Sequence, residues 1–260
     1  MLAVMLLFIV LVLSLFVAIL LCLEVGWRLR TRHLANETPN SEAGLSALAG
    51  AVFALMGLLI AFTFNGASTR FEARRALIVQ ETNAIDTAYL RIDLLPADAQ
   101  PALRQDFRDY LDARLAYFAA ISKDPAAASA AILRSRELQA KMWSDGVSAT
   151  LHQPSTAVTT LVITSLNAMI DITTNRSMAL ETHPPVTIYI VLAAFVLASS
   201  VLAGYAMAKA GKRNRTHMLI FAGTIALAVY LILDLDYPRI GLIRIDSADH
   251  LLVDLRGQMK

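Results

Sequence analysis

Four stretches of this chain are long and apolar enough to cross a lipid bilayer, and they occur as two pairs around a polar middle segment. None of them contains a charged residue, and the fourth lies between Arg215 and Asp234: they are Met1 to Leu23, Ala43 to Ala67, Pro184 to Ala208, and Thr216 to Leu233. A helix rises about 1.5 Å per residue, so about 20 residues cross the hydrocarbon layer of roughly 30 Å. The sequence therefore predicts an all-α integral membrane protein with four transmembrane helices.

The composition excludes several classes of function. Hydrophobic residues make up 57% of the chain and charged residues 17%, against about 25% charged in soluble domains. The net charge of +2 gives no electrostatic basis for binding nucleic acid. Cys22 is the single cysteine, so no intrachain disulfide forms. We predict no metal site and no cofactor, because no two of the five histidines have metal-ligand spacing: His33, His152, His183, His217 and His250.

The predicted organisation has eight parts. They are a first span (1–23), a short basic loop (24–42), a second span (43–67), a helical extramembrane domain (68–183), a third span (184–208), a basic loop (209–215), a fourth span (216–233) and a tail (234–260). The tail mixes charges with apolar residues, and we expect it to dock on a neighbouring chain. No nucleophile motif or phosphate-binding loop occurs, which argues against an enzyme.

The middle segment has a helical pattern. Apolar residues recur every seven positions after the second span, at Phe71, Ile78, Ile85 and Ile92. Neither glycine nor proline interrupts the chain from residue 67 to residue 95, so we predict that the second span continues into the middle segment as one long helix.

Breaks are expected at three places in the middle segment. Residues 95–98 read as a turn with Asp98 as a helix N-cap, a third helix starts at Asp124, and a fourth runs from about residue 156 to residue 181. The segment from residue 158 to residue 164 is rich in β-branched residues, so a strand is an alternative prediction there.

Positive charges in the short loops predict the orientation. Arg28, Arg30 and Arg32 follow the first span, and Lys209, Lys212, Arg213 and Arg215 separate the third and fourth spans. Lys and Arg in short loops are concentrated in the cytoplasm. We therefore expect both basic loops to be cytoplasmic and the helical domain to be outside.

The second span has two distinct faces. Small residues, which let membrane helices approach closely, form one face at Gly50, Ala54, Gly57 and Ala61. A second face carries Phe53, Met56, Ile60 and Phe64. These bulky residues either contact lipid or line an apolar constriction that gates a pore by dewetting.

Charged residues outside the spans give two further sets of candidates. Arg70, Arg74 and Arg75 follow the second span; in a symmetric ring they would attract anions, and alternatively they pair with nearby acids such as Glu72. The second set is read as structural ion pairs, including one between Asp171 and an arginine after the second span: Glu81, Asp86, Asp171, Arg176, Asp234, Asp236 and Arg239.

Several segments together resemble the bestrophin-like family of bacterial membrane proteins. They are Ala61-Phe62-Thr63-Phe64, Arg74-Arg75, Glu81 to Ile85, Thr87 to Pro96, and Asp234 to Arg239 with Gly241. The resemblance covers nearly the whole chain. One departure is Tyr237, because family members usually carry arginine before this proline.

The resemblance implies a homo-oligomeric channel in the bacterial inner membrane. Bestrophins are homopentameric anion channels with four membrane helices per chain, so the family implies a pentamer that passes small anions such as chloride, with the second helix lining the pore. Bestrophins keep their helical extension in the cytoplasm, opposite to the orientation that the arginines predict. A non-conducting membrane scaffold or sensor, whose helical domain binds a partner, is the alternative.

Overall fold

All regular secondary structure in the described part of the chain is helical. The computed structural model describes residues 2–33, 39–151, 155–208, 214–239 and 241–259. The helices are α1 (Leu2–His33), α2 (Pro39–Leu90), a 3-10 helix (Arg91–Leu94), α3 (Gln100–Ala120), α4 (Pro125–Thr150), α5 (Thr156–Glu181), α6 (Val186–Met207), α7 (Arg215–Asp236) and α8 (Asp246–Gln258). Four of the helical stretches are long and apolar enough to cross a membrane, which confirms this part of the prediction.

The second span does continue as one helix. α2 has 52 residues, which corresponds to a rod of about 78 Å at the usual rise per residue. Gly66 lies within it without ending it, because an isolated glycine weakens a helix by only about 1 kcal/mol relative to alanine.

The ends of several elements differ from the predicted boundaries. α1 runs past Leu23 to His33, so part of the predicted loop 24–42 is helical. The Nε atom of Arg28 lies 2.7 Å from the Glu24 carboxylate one turn earlier, and such a pair favours a helix across charged residues that a charge-based boundary excludes. Lys209, Lys212 and Arg213 lie outside the described residues.

Capping explains the breaks in the middle segment. Ala99, not the predicted Asp98, occupies the N-cap position of α3, and Pro101 lies in its first turn. α4 begins at the predicted place, and Asp124 is its N-cap, with a side chain that accepts from the backbone N–H groups of Ala126 and Ala127.

The β-branched segment at residues 158–164 is part of α5, so the alternative of a strand is wrong. Ser155 caps this helix through a bond from the Val158 N–H. The hydroxyls of Thr160 and Thr164 donate to carbonyls one turn earlier, at 2.9 and 2.7 Å. Their polar groups are thereby satisfied within the helix.

The chain divides into two compact units, the first comprising residues 70–182 and 238–260. In it, α3 packs on α4 and α8, and α4 packs on α5. The core contains residues from all of these elements and from the end of α2: Ile85, Phe107, Tyr110, Leu111, Met142, Met169 and Leu252. Leu252, Leu255 and Met259 of the tail are buried in this core, so the tail packs on its own chain, and its docking on a neighbour stays a prediction.

The second unit comprises residues 2–69 and 183–237, and in it α1 packs against α6 and α7. Two glycines allow α1 and α6 to touch backbone to backbone. A Cβ on Gly26 would lie 1.9 Å from the Val201 carbonyl oxygen, and one on Gly204 would lie 1.9 Å from the Leu23 carbonyl oxygen. Small residues are the usual means of such contact in membranes.

The first prediction concerns this contact. We expect Gly204→Ala to lower the apparent Tm of the detergent-solubilised protein by several degrees, because the new methyl group forces two backbones apart at a cost of about 1–3 kcal/mol. Gly223→Ala is the matched control, since a Cβ there meets nothing within 4 Å. An unchanged Tm in Gly204→Ala would contradict the close contact.

Candidate functional site

The bulky face of α2 within the second unit packs on the chain's own helices. Met56 is buried in a cluster with Ile19 of α1, Val196 of α6 and Ala222 of α7. Phe53 is partly buried against this cluster and meets Phe221 edge to face, with ring centroids 6.4 Å apart. Ile60 is also partly buried there. Three of the four predicted pore residues therefore contribute to packing inside the subunit.

The small-residue face of α2 is the exposed one. Gly50, Ala54, Gly57 and Ala61 are all exposed, and a Cβ on either glycine would meet nothing within 4 Å. Phe64, the fourth bulky candidate, is exposed too. The close helix packing predicted for the small residues does not occur with any described part of this chain, which leaves the face available to another molecule.

Two larger apolar side chains lie beside the small-residue face. Leu58 is 50% exposed and Phe62 is 66% exposed. Successive residues of a helix turn by about 100°, so Leu58 lies about 200° around α2 from Met56. These side chains thus point away from the cluster on which α2 packs.

The three arginines after the second span have three different environments. Arg70 is half-buried. Arg74 is buried, and it donates from Nε to the Ala179 carbonyl and from Nη2 to the Thr182 carbonyl, both at 2.9 Å. Arg75 is exposed and pairs with Glu72, with Nη1 and Oε2 3.1 Å apart. Of the three, Arg75 has the most exposed side chain.

A buried ion cluster occupies the core of the first unit. Glu81 of α2 is fully buried, and its Oε1 accepts a bond of 2.7 Å from Arg114 Nε of α3. Its Oε2 accepts from Nη1 of Arg176 in α5. The two arginine side chains are 1% and 4% exposed. One carboxylate thereby joins three helices.

The cluster extends to the C-terminal segment. Arg176 Nη2 donates to Asp249 Oδ1 at 2.6 Å, and Arg239 Nη2 donates to Asp249 Oδ2 at 3.0 Å. The Phe118 ring lies among three guanidinium groups, those of Arg176, Arg114 and Arg239, which are 3.6, 4.8 and 5.1 Å from its centroid. The negative face of the ring stabilises cations that water cannot reach.

Burial and charge act in opposite directions on the groups of the cluster. Burial tends to lower the pKa of Arg114, but the attraction of the Glu81 carboxylate raises it above the ordinary value. Burial also raises the pKa of the Tyr110 phenol. Arg114 therefore remains a cation and Tyr110 remains neutral at any physiological pH.

The other predicted ion-pair residues are distributed differently. Asp171 accepts a bond of 2.8 Å from Asn167 in its own helix, not from an arginine of α2. Asp86 is half-buried and forms no ion pair with the described residues. Asp234 and Asp236 are buried in the second unit, where the Tyr189 hydroxyl donates to Asp236 at 2.6 Å.

Sequence reasoning missed Arg114, Asp249 and the central ring of Phe118. A signal for Arg114 exists, because it occupies a position within the apolar stripe of α3, where a charge has to be buried.

Tyr237, where this chain departs from the usual family residue, packs on another aromatic ring. Its ring stacks on His183 with centroids 4.4 Å apart.

The second prediction concerns the ion cluster. We expect Glu81→Gln to lower the free energy of unfolding by about 3–5 kcal/mol, because it removes the charge that compensates two buried guanidinium groups. Thermal unfolding in detergent measures this. Glu137→Gln is the control, since Glu137 is an exposed residue, and a similar small effect of both substitutions would refute the structural role of Glu81.

Structural comparison relates the chain to known membrane proteins. The bacterial bestrophin homologue from Klebsiella pneumoniae has 16% sequence identity and a TM-score of 0.66, with 94% of this chain and 98% of that chain covered. A variant of the same homologue superposes with a TM-score of 0.69 at 16% identity, covering 95% and 98% of the two chains. A structure described only as a membrane protein gives a TM-score of 0.68 at 15% identity, with 95% and 99% covered.

At such low identity these structures are evidence for the fold alone. No functionally curated protein matches the chain. The bestrophin-like domain, however, matches residues 11–249, which is most of the sequence. The chain therefore belongs to the bestrophin-like family.

Proposed function

We propose that this protein is a homo-oligomeric membrane channel for small anions such as chloride, with α2 nearest the symmetry axis. The observation that carries this proposal is the exposed, uncharged face of α2 opposite Met56. Residues 44–69 of α2 contain no charged side chain. A pore between subunits must be lined by a protein surface that the subunit's own helices leave uncovered, and this face of α2 is such a surface.

The geometry of α2 changes which residues we propose for the pore. Phe53, Met56 and Ile60 pack on α1, α6 and α7, so the opposite side of the helix is available to the axis of a ring. Leu58 and Phe62 occupy this opposite side. In a ring of subunits they would form an apolar constriction, which closes by dewetting.

The small residues are assigned to contacts between subunits. The small-residue face lies beside Leu58 on the helix surface and consists of Gly50, Ala54, Gly57 and Ala61. When Leu58 faces the axis of the ring, this face is directed towards a neighbouring α2. Small side chains permit the close approach that a narrow pore requires. A pentamer is the assembly that the bestrophin resemblance implies.

Arg75, the most exposed of the three arginines, adds positive charge further along α2. Its pairing with Glu72 weakens the attraction that this charge exerts on anions.

The third prediction is that purified protein in planar bilayers conducts, with a reversal potential in a chloride gradient that follows the chloride equilibrium. Cysteines placed on α2 in a Cys22→Ser background then identify the lining. We expect a bulky thiol reagent to block current by more than about tenfold in Leu58→Cys or Phe62→Cys, because the attached group fills the narrowest part of the proposed passage.

Met56→Cys is the matched control, and its current is expected to resist the reagent because the side chain is buried. Block in Met56→Cys but not in Leu58→Cys would reverse the assignment of faces. Folded, oligomeric protein that never conducts would refute the channel and would favour the scaffold or sensor.

We also propose the orientation that the charged loops indicate, in the bacterial inner membrane. Arg28 and Arg32 are exposed at the end of α1, whereas Arg30 is buried with its guanidinium 5.3 Å from the centre of the Tyr205 ring. Exposed arginines beside short loops are retained in the cytoplasm. The helical domain would then lie in the periplasm.

The fourth prediction tests this orientation with a membrane-impermeant maleimide on spheroplasts. In the Cys22→Ser background, Lys123→Cys between α3 and α4 is expected to react at once, since Lys123 is exposed. Gly211→Cys in the second basic loop is expected to react only after lysis. The reverse pattern would place the helical domain in the cytoplasm.

A further inference from the structure

A groove in the second unit lies between α2 and the first turns of α6. Its lining residues are uncharged and come from both helices: Leu59 and Thr63 of α2, and Thr187, Ile188, Val191 and Leu192 of α6. The Thr63 hydroxyl donates to the Leu59 carbonyl at 2.7 Å, so this hydroxyl requires no acceptor from an occupant of the groove. The volume is about 240 Å³, and an apolar cavity of about 150 Å³ already holds a benzene ring. The groove therefore has room for an aromatic side chain.

The groove is open in the described part of the chain. Ile188 and Val191 on its α6 side are 44% and 48% exposed, whereas Leu192 is buried. Both helices are uncharged at this level, because residues 44–69 and 184–208 contain no charged side chain. An occupant of the groove is therefore apolar, and it is either a lipid acyl chain or a side chain of another subunit.

Phe64 is an exposed aromatic residue on another side of α2. Its side chain is 44% exposed. Phe64 follows Gly57 by seven residues, so it lies within about 20° of Gly57 around the helix and extends the small-residue face. This face is the one proposed above for contacts between subunits. Phe64 thus continues a surface at which we expect a neighbouring chain.

Phe64 and the groove flank the packed face of α2. Ile60 belongs to this packed face. At about 100° per residue, Phe64 lies about 40° to one side of Ile60, and Thr63 of the groove lies about 60° to the other side. When the packed face is directed away from the axis of a ring, the two sides of α2 are directed towards two different neighbours.

The depth of the two features in the membrane also matches. Phe64 and Thr63 are consecutive residues of α2, so they differ in height by about 1.5 Å along the helix. Rotation about an axis normal to the membrane leaves the depth of every residue unchanged. Phe64 of one subunit and the groove of the next subunit therefore lie at nearly the same level.

We propose that the ring of Phe64 inserts into the α2–α6 groove of the next subunit. This inference rests on the homo-oligomer of the proposed function, but it does not depend on conduction. Each subunit donates one ring and receives one, which is the head-to-tail contact from which closed rings are built. A lipid acyl chain would fill the groove but would leave Phe64 uncovered, whereas a second subunit covers both. Packing of this kind drives association of helices in membranes.

The fifth prediction is a cross-link between subunits of the full-length protein in membranes. Chains with Phe64→Cys and chains with Val191→Cys, both in the Cys22→Ser background and carrying different tags, are expected to form a mixed disulfide dimer on mild oxidation. Chains with one cysteine each are joined only between subunits. Ile190→Cys is the matched control for Val191→Cys, since Ile190 is 62% exposed but does not line the groove. Its yield with Phe64→Cys is expected to be at least about tenfold lower, because a disulfide requires Cβ atoms about 4 Å apart.

The same contact is tested by the oligomeric state in detergent. We expect Phe64→Ala to raise the dissociation constant of the oligomer by more than about tenfold, because the groove loses the ring that fills it. Phe62→Ala is the control of the same residue type, and we expect it to retain the oligomer because Phe62 is directed towards the axis. Unchanged assembly in Phe64→Ala would overturn the inference.

Electron cryo-microscopy of the wild-type protein decides the matter without any substitution. The Phe64 ring is expected within the groove of the adjacent subunit. A lipid acyl chain in the groove with Phe64 elsewhere, or a monomeric particle, would overturn the inference. A conducting oligomer without the Phe64–Val191 cross-link would refute this contact alone. A cross-linked oligomer that never conducts would support the contact and refute the channel.

Discussion

The burial of Glu81 between Arg114 and Arg176 is the interaction on which the helical unit depends. A carboxylate without water is tolerated only when cations and hydrogen bonds replace its hydration. Here each carboxylate oxygen accepts from a different helix, so α2, α3 and α5 have to keep their relative register. Apolar packing alone is far less selective, because hydrophobic side chains of similar volume can repack with a modest loss. The ion cluster therefore contributes mainly to the uniqueness of the arrangement, and Asp249 extends this constraint to α8.

α2 combines two kinds of surface along one continuous helix. In the second unit one face of α2 packs on neighbouring helices, whereas the other exposes small residues together with Leu58 and Phe62, and a helix of a soluble protein rarely exposes such large apolar side chains side by side. The bilayer explains this difference, because lipid chains are as apolar as leucine and burial of large side chains is not the main driving force there. Small residues on an exposed face instead favour contact with another helix. The distribution of residues on α2 therefore favours assembly of several chains, and assembly is a precondition for any axial passage.

Much of the fold could be predicted from the sequence, because the length of each uncharged stretch matches the thickness of the hydrocarbon layer of a bilayer. The continuity of α2 followed from the absence of glycine and proline after Ala67. The periodicity also identified two faces of the second span. It did not indicate which face is covered, because Met56 and Leu58 are equally compatible with lipid and with protein. The role of Arg114 was missed because its ion-pair partner, Glu81, is 33 residues away in the sequence. Arg74 was predicted to attract anions or to pair with nearby acids, whereas its guanidinium donates to carbonyls at the end of α5.

Placing the charges inside the helical unit has a consequence for selectivity. Residues 44–69 of α2 contain no charged side chain, so a passage along this face would contain no fixed charge. In the proposed passage an ion would have to lose water without compensation from a counter-charge, so that weakly hydrated anions such as chloride would be favoured over small, strongly hydrated cations. The exposed charges further along α2, Glu72 and Arg75, cancel each other locally. Discrimination would then arise from hydration in the apolar constriction, and Leu58 and Phe62 are the side chains whose size determines it.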